Sequence, residues 1–398
     1  MMPSEQPDTR TTFHSLGGGS QVWLCADACL ALRPARSPCS RCRDACPVQA
    51  FEWTDTGVGL NVRCTGCGLC AAACPSGSIR VGGFEPAKLQ SSVQRIECAR
   101  VPDAIAGAAA KVPCLGGLSS TVVLGLAAGS RKPWTVVDRG WCATCGMGNG
   151  AAVIADEPLE FVTALLDVLG VAKNRWPTIA HEPLPPDAAI PFKKKPAGPN
   201  AMSRRGLFNP FARMAEKAAS RSASVTADRG GCKPSHVIQL HRKRFANALG
   251  ALAKDAQSDV PAAFFPVIEV AAHCDHKGLC AALCPSGALR RYENEATGSV
   301  GLQFDSQACV ACGLCVTGCP SKALRWLPAG NADTPAASSV QTLTQHTRKV
   351  CTQCDSPFVN GAMGGLCTRC GADRNLTFSF FGTKVANSTV SEGNFDDQ

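Results

Sequence analysis

The feature that most constrains the fold of this chain is a cysteine run that occurs twice with identical spacing. Each copy reads Cys-x2-Cys-x2-Cys-x3-Cys-Pro; the copies are Cys64, Cys67, Cys70, Cys74, Pro75 and Cys309, Cys312, Cys315, Cys319, Pro320. Thiolates at this spacing hold a [4Fe–4S] cubane, with three on one tight loop and the fourth reaching a neighbouring cluster. Two complete copies argue against chance and predict iron–sulfur clusters.

The cysteine content also indicates the class of protein. The chain has 398 residues and 25 cysteines. Secreted disulfide scaffolds are rich in cysteine, but these cysteines lie in short metal-type spacings within a much longer chain. The first 20 residues show no signal peptide pattern, and apolar stretches such as residues 122–128 are too short to span a bilayer. We therefore expect a reduced, cytoplasmic protein without a membrane span.

The charge of the chain bears on its partners. The formal net charge is +9, and part of the excess lies at residues 193–195, 204–205 and 242–244. Basic runs usually form a solvated face, and they also steer acidic partners toward a protein. The chain has one Tyr and no aromatic residues interleaved with basic ones, so it lacks a base-stacking platform. We expect redox proteins or oxidoreductase subunits as partners and do not expect nucleic acid.

An internal repeat organises the chain. Residues 25–80 and 270–326 each contain two Cys-x3-Cys-Pro endings, which are 28 and 35 residues apart. For each unit we expect a short helix with the last cysteine, then a turn and a short strand. Two units form one dicluster module, which has little hydrophobic core and is held together by its clusters.

The predicted fold class is α+β, with two bacterial-ferredoxin-like dicluster modules, a small α/β middle domain and a C-terminal zinc-ribbon-like element. The predicted boundaries are 21–84 for the first module, 85–175 for the middle domain, 176–260 for a Pro-rich and basic linker with helices, 261–328 for the second module, 345–380 for the ribbon and 381–398 for a disordered tail.

Hydrophobic patterns predict the elements between the modules. Residues 110–112 and 134–137 resemble short buried strands, and residues 118–128 and 159–169 resemble helices. Prolines predict a linker at residues 177–199 and a second one near 328–340. Further helices are predicted at residues 202–219 and 236–253.

The first half-motif of the first repeat lacks one cysteine. Cys39, Cys42 and Cys46 are present, but Arg36 stands where the leading cysteine would be. A cubane needs a fourth thiolate, and Cys29 is the nearest suitable donor. Cys25 is the alternative; otherwise it is a plain core thiol.

The sequence around Cys29, Asp-Ala-Cys-Leu-Ala at residues 27–31, resembles NapF-type ferredoxins of nitrate reductase operons, and the resemblance extends through residues 64–79. It implies that a displaced upstream cysteine supplies the missing ligand and that residues 25–80 hold two [4Fe–4S] clusters. The implied ligand sets are Cys29, Cys39, Cys42 and Cys74 for one cluster, and Cys46, Cys64, Cys67 and Cys70 for the other.

The second repeat also has an incomplete half-motif, because Lys277 occupies its second cysteine position. A protonated lysine cannot bind iron, so three outcomes are open. A [3Fe–4S] cluster could use the three remaining thiolates, a cubane could take His276, His273 or Cys232 as its fourth donor, or the cluster could be lost. The three thiolates are Cys274, Cys280 and Cys319, and the second cubane of this module is predicted on Cys284, Cys309, Cys312 and Cys315. The predicted total is three or four [4Fe–4S] clusters, one of which could be [3Fe–4S].

Four cysteines lie within 48 residues of the middle region, namely Cys98, Cys114, Cys142 and Cys145. Two of the positions follow predicted strands, which would place the cysteines together at strand ends. The Pro-Cys-x-Gly turn and the late cysteine pair resemble the [2Fe–2S] domain of the MvhD-type subunit of methanogen hydrogenases. That resemblance implies a [2Fe–2S] centre; structural zinc and unligated thiols are the alternatives.

Two Cys-x2-Cys knuckles lie near the end of the chain, formed by Cys351 with Cys354 and by Cys367 with Cys370. Two knuckles separated by 12 residues are typical of a zinc ribbon. Four thiolates leave no open position for catalysis, so structural zinc is predicted. A rubredoxin-type single iron would use the same geometry.

Together these patterns predict an electron carrier and no enzyme that performs bond chemistry alone. The chain shows no Walker motif, and its Gly17–Gly19 run follows no strand. The first hypothesis is a multi-cluster carrier of single electrons that serves as partner or subunit of a larger, possibly molybdenum-containing, oxidoreductase. The NapF-like resemblance implies an alternative, an accessory factor in metalloenzyme maturation. A third hypothesis is an iron–sulfur redox sensor that acts on nucleic acid.

Overall fold

The computed structural model of this chain describes residues 14–16, 22–33, 39–54, 57–86, 89, 93–147, 155–190, 234–260, 264–327, 340–359 and 365–381. The helix predicted at residues 202–219 and the tail predicted after residue 381 lie outside these ranges. Within them, no helix has both the length and the apolar character that a bilayer crossing requires.

The first cysteine-rich unit combines short strands with two very short helices. In chain order it contains β1 (His14–Ser15), β2 (Val22–Leu24), α1 (Arg41–Asp44), β3 (Phe51–Thr54), β4 (Gly57–Leu60), α2 (Leu69–Ala73) and β5 (Ile79–Val81). Strand β2 pairs antiparallel with β1 and β5, and β3 pairs antiparallel with β4. Val22 and Leu24 are buried while Trp23 between them is exposed, as the period-2 alternation of a strand requires. The buried face packs against cysteine side chains, which include Cys70 and Cys74.

The middle region is built on a four-stranded parallel sheet. Its elements are β6 (Arg95–Cys98), α3 (Asp103–Ala106), β7 (Ala110–Val112), α4 (Ser120–Gly129), β8 (Trp134–Asp138), α5 (Asp156–Val168) and β9 (Pro177–His181). The strand order is β7-β6-β8-β9, and every pairing is parallel. Ile96, Val112 and Val136 are fully buried, as expected for a sheet covered on both faces. The strands predicted at residues 110–112 and 134–137 are present, and the two predicted helices coincide with α4 and α5 to within three residues.

The linker predicted at residues 177–199 is wrong for its first part, because Pro177–His181 forms β9. Proline is tolerated at the first residue of an edge strand, where its missing N–H breaks no ladder bond. Strand β9 is at the edge of the sheet and pairs only with β8 among the described strands. Proline content therefore indicated a linker where the chain continues the sheet.

A long helix, α6 (Pro234–Asp255), corresponds to the helix predicted at residues 236–253. It packs on α4, and Phe245, Leu249 and Leu252 belong to the same core as the parallel sheet. The C-terminal half of this helix thus packs in the core of the middle region.

The second cysteine-rich unit contains β10 (Val267–Val270), α7 (Leu279–Leu283), β11 (Leu289–Asn294), β12 (Ser299–Phe304), α8 (Leu314–Thr317), β13 (Leu324–Leu327) and β14 (Gln341–Thr347). Strand β10 pairs with β13, and β12 lies between β11 and β14, all antiparallel. Strand β14 approaches so closely that a Cβ on Gly301 would lie 1.9 Å from the carbonyl oxygen of Thr344. The unit therefore extends beyond residue 328, its predicted end.

The repeated unit predicted from sequence is present four times, since α1, α2, α7 and α8 are each followed by a cysteine and then by a strand. The last cysteine of each run lies just after the helix and not within it. Cys74 and Cys284 have extended ψ angles of 112° and 111°. A following proline disfavours the helical conformation at the preceding residue, and this explains why each helix ends before the cysteine.

The C-terminal element consists of the hairpin β15 (Lys349–Val350) and β16 (Pro357–Phe358), followed by α9 (Thr368–Phe381). The two cysteine knuckles lie at the hairpin and at the start of α9. The second knuckle therefore joins a helix.

The position of α6 in the core gives a test of the fold. Leu249→Ala should lower the free energy of unfolding by about 2–5 kcal/mol, the usual cost of deleting a buried leucine side chain, because Leu249 is 0% exposed. Denaturant unfolding of the cofactor-loaded chain, followed by circular dichroism, measures this change. Val168→Ala is the control, since Val168 is 62% exposed, and it should change the same free energy by less than about 0.5 kcal/mol. Equal effects of the two variants would show that α6 does not complete this core.

Candidate metal centres

The cysteine loops share an unusual backbone. Two left-handed residues flank the second cysteine position of each complete or nearly complete run. The φ angles of these pairs are +71° and +90° at Gly66 and Gly68, +59° and +74° at His276 and Gly278, and +50° and +77° at Ala311 and Gly313. Left-handed residues turn successive backbone N–H groups toward one point, which suits an anionic cluster. A side chain at Gly68 or Gly313 would be strained there.

The first set of cysteines, here called group 1, surrounds a single cavity. Group 1 consists of Cys29, Cys39, Cys42 and Cys74, and all four line one pocket. Burial, with a smaller contribution from the nearby Cys74, raises the pKa of Cys29 to about 11 and that of Cys42 to about 12. Four converging sulfurs around an enclosed space fit a cubane, which displaces protons as it binds.

Cys25, the alternative fourth donor, lies elsewhere. It is 1% exposed and packs with Ala28, Val237 and Ile238 in a small apolar cluster. It does not line the group 1 cavity, whereas Cys29 does. The structure thus brings Cys29 to the other group 1 cysteines, and the ligand assignment itself stays a prediction.

Group 2 lies beside group 1 and consists of Cys46, Cys64, Cys67 and Cys70. Burial raises the pKa values of Cys67 and Cys70, and the other members of the group add to this effect. The amide of Ala50 donates to Cys46 Sγ at 3.3 Å. Short helices connect the two groups: Cys42 and Cys46 lie on or just after α1, and Cys70 and Cys74 on or just after α2. The crossing of ligands between neighbouring clusters, expected for this motif, is possible in this geometry.

Group 4, in the second unit, consists of Cys284, Cys309, Cys312 and Cys315. Burial raises the pKa of Cys309 and of Cys315 to about 12, with smaller contributions from the other group members. Backbone amides donate to two of the sulfurs, from Leu289 to Cys284 at 3.3 Å and from Ala311 to Cys309 at 3.4 Å. The group 4 thiols therefore resemble the group 2 thiols in their burial and in accepting hydrogen bonds from backbone amides.

Group 3 has three thiols, Cys274, Cys280 and Cys319. Burial raises the pKa of Cys280 to about 11, and Cys274 and Cys319 raise it further. The amide of Ala323 donates to Cys319 Sγ at 3.4 Å. The group is thus arranged like the others with one sulfur fewer.

Lys277 does not fill the fourth corner of group 3. Its side chain is 60% exposed, and its Nζ lies 2.8 Å from Asp275 Oδ2. His276 is buried, with Nε2 3.2 Å from Thr344 Oγ1 and its ring edge-on to His346, while His273 Nε2 lies 3.1 Å from the Ser321 carbonyl oxygen. Cys232 lies outside the described residues. The fourth donor, or its absence in a [3Fe–4S] cluster, stays open.

The middle group lies where the strands of the parallel sheet end. It consists of Cys98, Cys114, Cys142 and Cys145. Cys98 ends β6, Cys114 follows β7, and the pair follows β8, so all four lie at carboxyl ends of strands, where such sheets place their ligands. Burial raises the pKa of Cys114 to about 12, and nearby Cys98 and Cys142 contribute. This arrangement fits a thiolate-bound centre, and its type stays a prediction.

Arg100 is a residue of this site that sequence reasoning missed. Its Nη1 donates to Cys145 Sγ at 3.5 Å, and its Nε donates to the Ile190 carbonyl oxygen at 3.0 Å. No motif spacing indicates this contact of Arg100, because it forms only when the loop after β8 places Cys145 beside the end of β6. A guanidinium beside a ligand sulfur stabilises added negative charge, so it favours the reduced state of a bound centre.

The ribbon group consists of Cys351, Cys354, Cys367 and Cys370, whose sulfurs all lie within 4.8 Å of one another. The sulfurs of Cys354 and Cys367 are 3.8 Å apart. A tetrahedral zinc with Zn–S bonds of about 2.3 Å places its sulfurs about 3.8 Å apart, so the group fits a single metal ion. The amide of Cys367 donates to Cys351 Sγ at 3.2 Å, and this hydrogen bond lowers the pKa of Cys351 to about 6.

Two segments of the chain match a known family. Residues 37–78 and 273–323 match the 4Fe-4S dicluster domain. These ranges contain all of groups 2, 3 and 4, and every group 1 cysteine except Cys29. The chain is also 56% identical over 39 residues to an uncharacterized ferredoxin of Methanocaldococcus jannaschii, a match that covers 10% of this chain and 24% of that relative. The chain thus spans about a quarter of the relative it matches.

These similarities support iron–sulfur electron transfer by ferredoxin-like 4Fe-4S segments. They concern neither the NapF-type nor the MvhD-type resemblance, so both stay predictions.

The separation of Cys25 from group 1 gives a matched pair of variants. Cys29→Ala should remove the group 1 cluster and lower the iron content by up to about four atoms per chain, because it removes a thiolate from the cavity. Cys25→Ala should leave iron content unchanged. Iron and sulfide analysis of anaerobically purified protein, with visible absorbance, measures both. Iron loss in Cys25→Ala with full retention in Cys29→Ala would make Cys25 the donor.

The ribbon group gives a prediction about protons. Cys351 is already a thiolate above about pH 6, whereas the neighbouring thiols Cys354 and Cys367 raise the pKa of Cys370 to about 12. Zinc binding at pH 7 should therefore release the Cys370 proton, and zinc affinity should fall as pH drops below about 6, because Cys351 is then protonated. Calorimetric zinc titration in buffers of different ionisation enthalpy counts the protons. Cys370→Ala should reduce the number of protons released; an unchanged number would contradict the assignment.

Proposed function

We propose that this chain carries single electrons through several iron–sulfur centres, as a partner or subunit of a larger oxidoreductase. The observation that supports this most is the pairing of thiol groups, since groups 1 and 2 share α1 and α2, and groups 3 and 4 share α7 and α8. Helices of four or five residues connect neighbouring groups, so centres bound there would be close to each other. Short distances between centres serve electron passage and have no evident use in a purely structural metal site.

The cofactor set that fits these groups follows from their donors. Groups 1, 2 and 4 each offer four thiolates and suit [4Fe–4S] cubanes, while group 3 offers three and suits a [3Fe–4S] cluster or a cubane with one further donor. The middle group suits a [2Fe–2S] centre, and the ribbon group suits zinc. The iron–sulfur clusters, when bound, supply one-electron chemistry at their metal ions.

The residues of the chain would tune this chemistry through hydrogen bonds to sulfur. In three of the four runs, a backbone amide beyond the last cysteine donates to that cysteine, at distances of 3.3–3.4 Å. Cys74 instead lies 3.2 Å from Ser78 Oγ. Hydrogen bonds that withdraw charge from the ligand sulfurs stabilise the reduced state and raise the reduction potential.

A basic surface beside group 3 favours an acidic redox partner. An open groove between α7 and β11 is lined by residues that include Lys277, Arg290 and Arg291. Complementary charge raises the rate of encounter with an acidic protein. Such a partner would dock within a few residues of Cys280.

The proposal is tested by electron paramagnetic resonance (EPR) of the anaerobically purified chain, as isolated and after dithionite reduction. We expect about five reducible centres per chain, namely the clusters of groups 1 to 4 and the middle-group centre, and an oxidised-state signal if group 3 holds [3Fe–4S]. Cys70→Ala should remove one reducible centre, because Cys70 belongs to group 2, and Cys25→Ala should remove none.

One or two isolated, substoichiometric spins in a protein with full iron content would contradict the carrier function. That result would favour the alternative, a NapF-like accessory factor in metalloenzyme maturation, for which the ribbon group would be a partner-recognition element.

A further inference from the structure

The middle group contacts the first cysteine-rich unit at group 2. A 3₁₀ turn at Leu115–Gly117 follows Cys114 and packs on α2. A Cβ on Gly117 would lie 3.0 Å from the carbonyl oxygen of Cys67. On the other side of the same junction, Thr65 Oγ1 donates to Met147 Sδ at 3.2 Å. Two cysteine loops, one from each centre, therefore touch through backbone with no intervening layer of side chains.

Group 1 contacts the second unit at group 4. Val310, between Cys309 and Cys312, packs against the buried cluster that contains Cys25 and Ala28, and Ala28 directly precedes Cys29. Burial raises the pKa of Cys312, and the Arg33 guanidinium is close enough to oppose that rise. Arg33 Nη1 also lies 3.5 Å from the Asp27 carbonyl oxygen. The loop that supplies Cys29 thus lies against the loop that supplies Cys312.

Helix α6 fixes both junctions. Near its N-terminal end, Gln239 Nε2 donates to the Ser286 carbonyl oxygen at 2.8 Å and Arg242 Nε donates to the Gln307 carbonyl oxygen at 3.1 Å, both in the second unit. His241 packs so tightly on the first unit that a Cβ on Gly77 would lie 2.8 Å from His241 Cβ. The other half of α6 lies in the core of the parallel sheet. One helix therefore contacts all three cysteine-bearing bodies.

Within each unit the remaining neighbours follow from shared helices. Group 1 and group 2 share α1 and α2, and Cys42 of group 1 lies close enough to Cys70 of group 2 to affect its pKa. In the same way, Cys280 of group 3 affects Cys315 of group 4. These contacts leave the middle group and group 3 each with a single neighbouring group among the described residues.

From these contacts we propose that the centres form one unbranched relay in the order middle group, group 2, group 1, group 4, group 3. The inference rests on the proposed electron-carrier function and adds its route. In each step one electron leaves a reduced centre and enters its oxidised neighbour, and no bond forms or breaks. One-electron redox proteins supply the electron at one end and accept it at the other. The middle group and group 3 are the two ends, so two different partners can be engaged at once.

The order assigns a positioning role to Arg33. Its guanidinium is near Cys312 of group 4 and lies 3.5 Å from the Asp27 carbonyl oxygen, on the loop that supplies Cys29 of group 1, so it would favour the reduced state of both centres. At the junction of group 2 and the middle group, Gly117 lies directly against the Cys67 carbonyl oxygen. Arg33 should therefore set how readily electrons cross from the first unit to the second.

The relay order is tested by pulsed EPR of the fully reduced, full-length protein, in which neighbouring paramagnetic centres shorten each other's relaxation times. Cys29→Ala, which removes group 1, should lengthen relaxation at both group 2 and group 4. Cys280→Ala, which removes group 3, should lengthen it at group 4 and leave group 2 unchanged. A group 4 centre that does not respond to Cys29→Ala would overturn the order.

A second variant keeps every ligand. Arg33→Gln should make reduction of groups 1 and 4 about threefold to tenfold less favourable, where tenfold equals about 59 mV for a one-electron couple. Redox titration followed by EPR measures this shift. Arg348→Gln is the control, since Arg348 pairs with Glu293 on the far strands of the second unit, and it should shift neither centre. If the reduction potentials of groups 1 and 4 were the same in Arg33→Gln and in the wild type, Arg33 would not have the proposed role.

The two proposals fail in different ways. Centres that bind iron but cannot be reduced would refute the electron-carrier function. Centres that are reduced normally, with no magnetic effect of group 1 on group 4, would leave that function standing and refute only the relay.

Discussion

The structure of the two cysteine-rich units depends on the burial of thiols that must act as anions. In the second unit the core includes Cys274, Cys280, Cys309, Cys315 and Cys319 among its buried residues. Burial raises the pKa of most group members, so without iron they are protonated and pack as small apolar side chains. Cluster binding must expel those protons, and the metal–sulfur bonds must exceed that cost. The same sulfurs thus serve as core and as ligands, and folding of these units is coupled to cofactor loading.

The middle region obtains its stability in another way. Its parallel sheet has an aliphatic core that includes Ile96, Val123 and Leu165, each fully buried, and its four cysteines lie at the edge of the sheet. Helix α6 extends this core toward the two cysteine-rich units. A body with its own aliphatic core therefore contacts two units whose cores include their cysteines.

Local sequence rules accounted for much of this arrangement. The cysteine–proline endings predicted four helix-then-strand units because proline restricts the residue before it, and alternation and apolar runs indicated the strands at Ala110–Val112 and Trp134–Asp138. Strand β9 was missed because its leading proline resembles a linker. The roles of Arg33 and Arg100 were also missed. Each depends on contacts between segments far apart in sequence, and no spacing rule encodes such contacts.

The terminal position of group 3 in the proposed relay gives a physical reason why this group can lack one cysteine. A centre inside a relay must accept from one neighbour and donate to another, so a weakly held cluster there would interrupt the route. A terminal centre of the proposed relay has only one internal neighbour, and its outer side would face a partner. Lys277, turned outward beside Asp275 and lining a basic groove, contributes to that outer surface. In the proposed relay, a lysine in place of a cysteine at this position would exchange a ligand for a surface charge at the one centre of the two units where the exchange leaves the internal route intact.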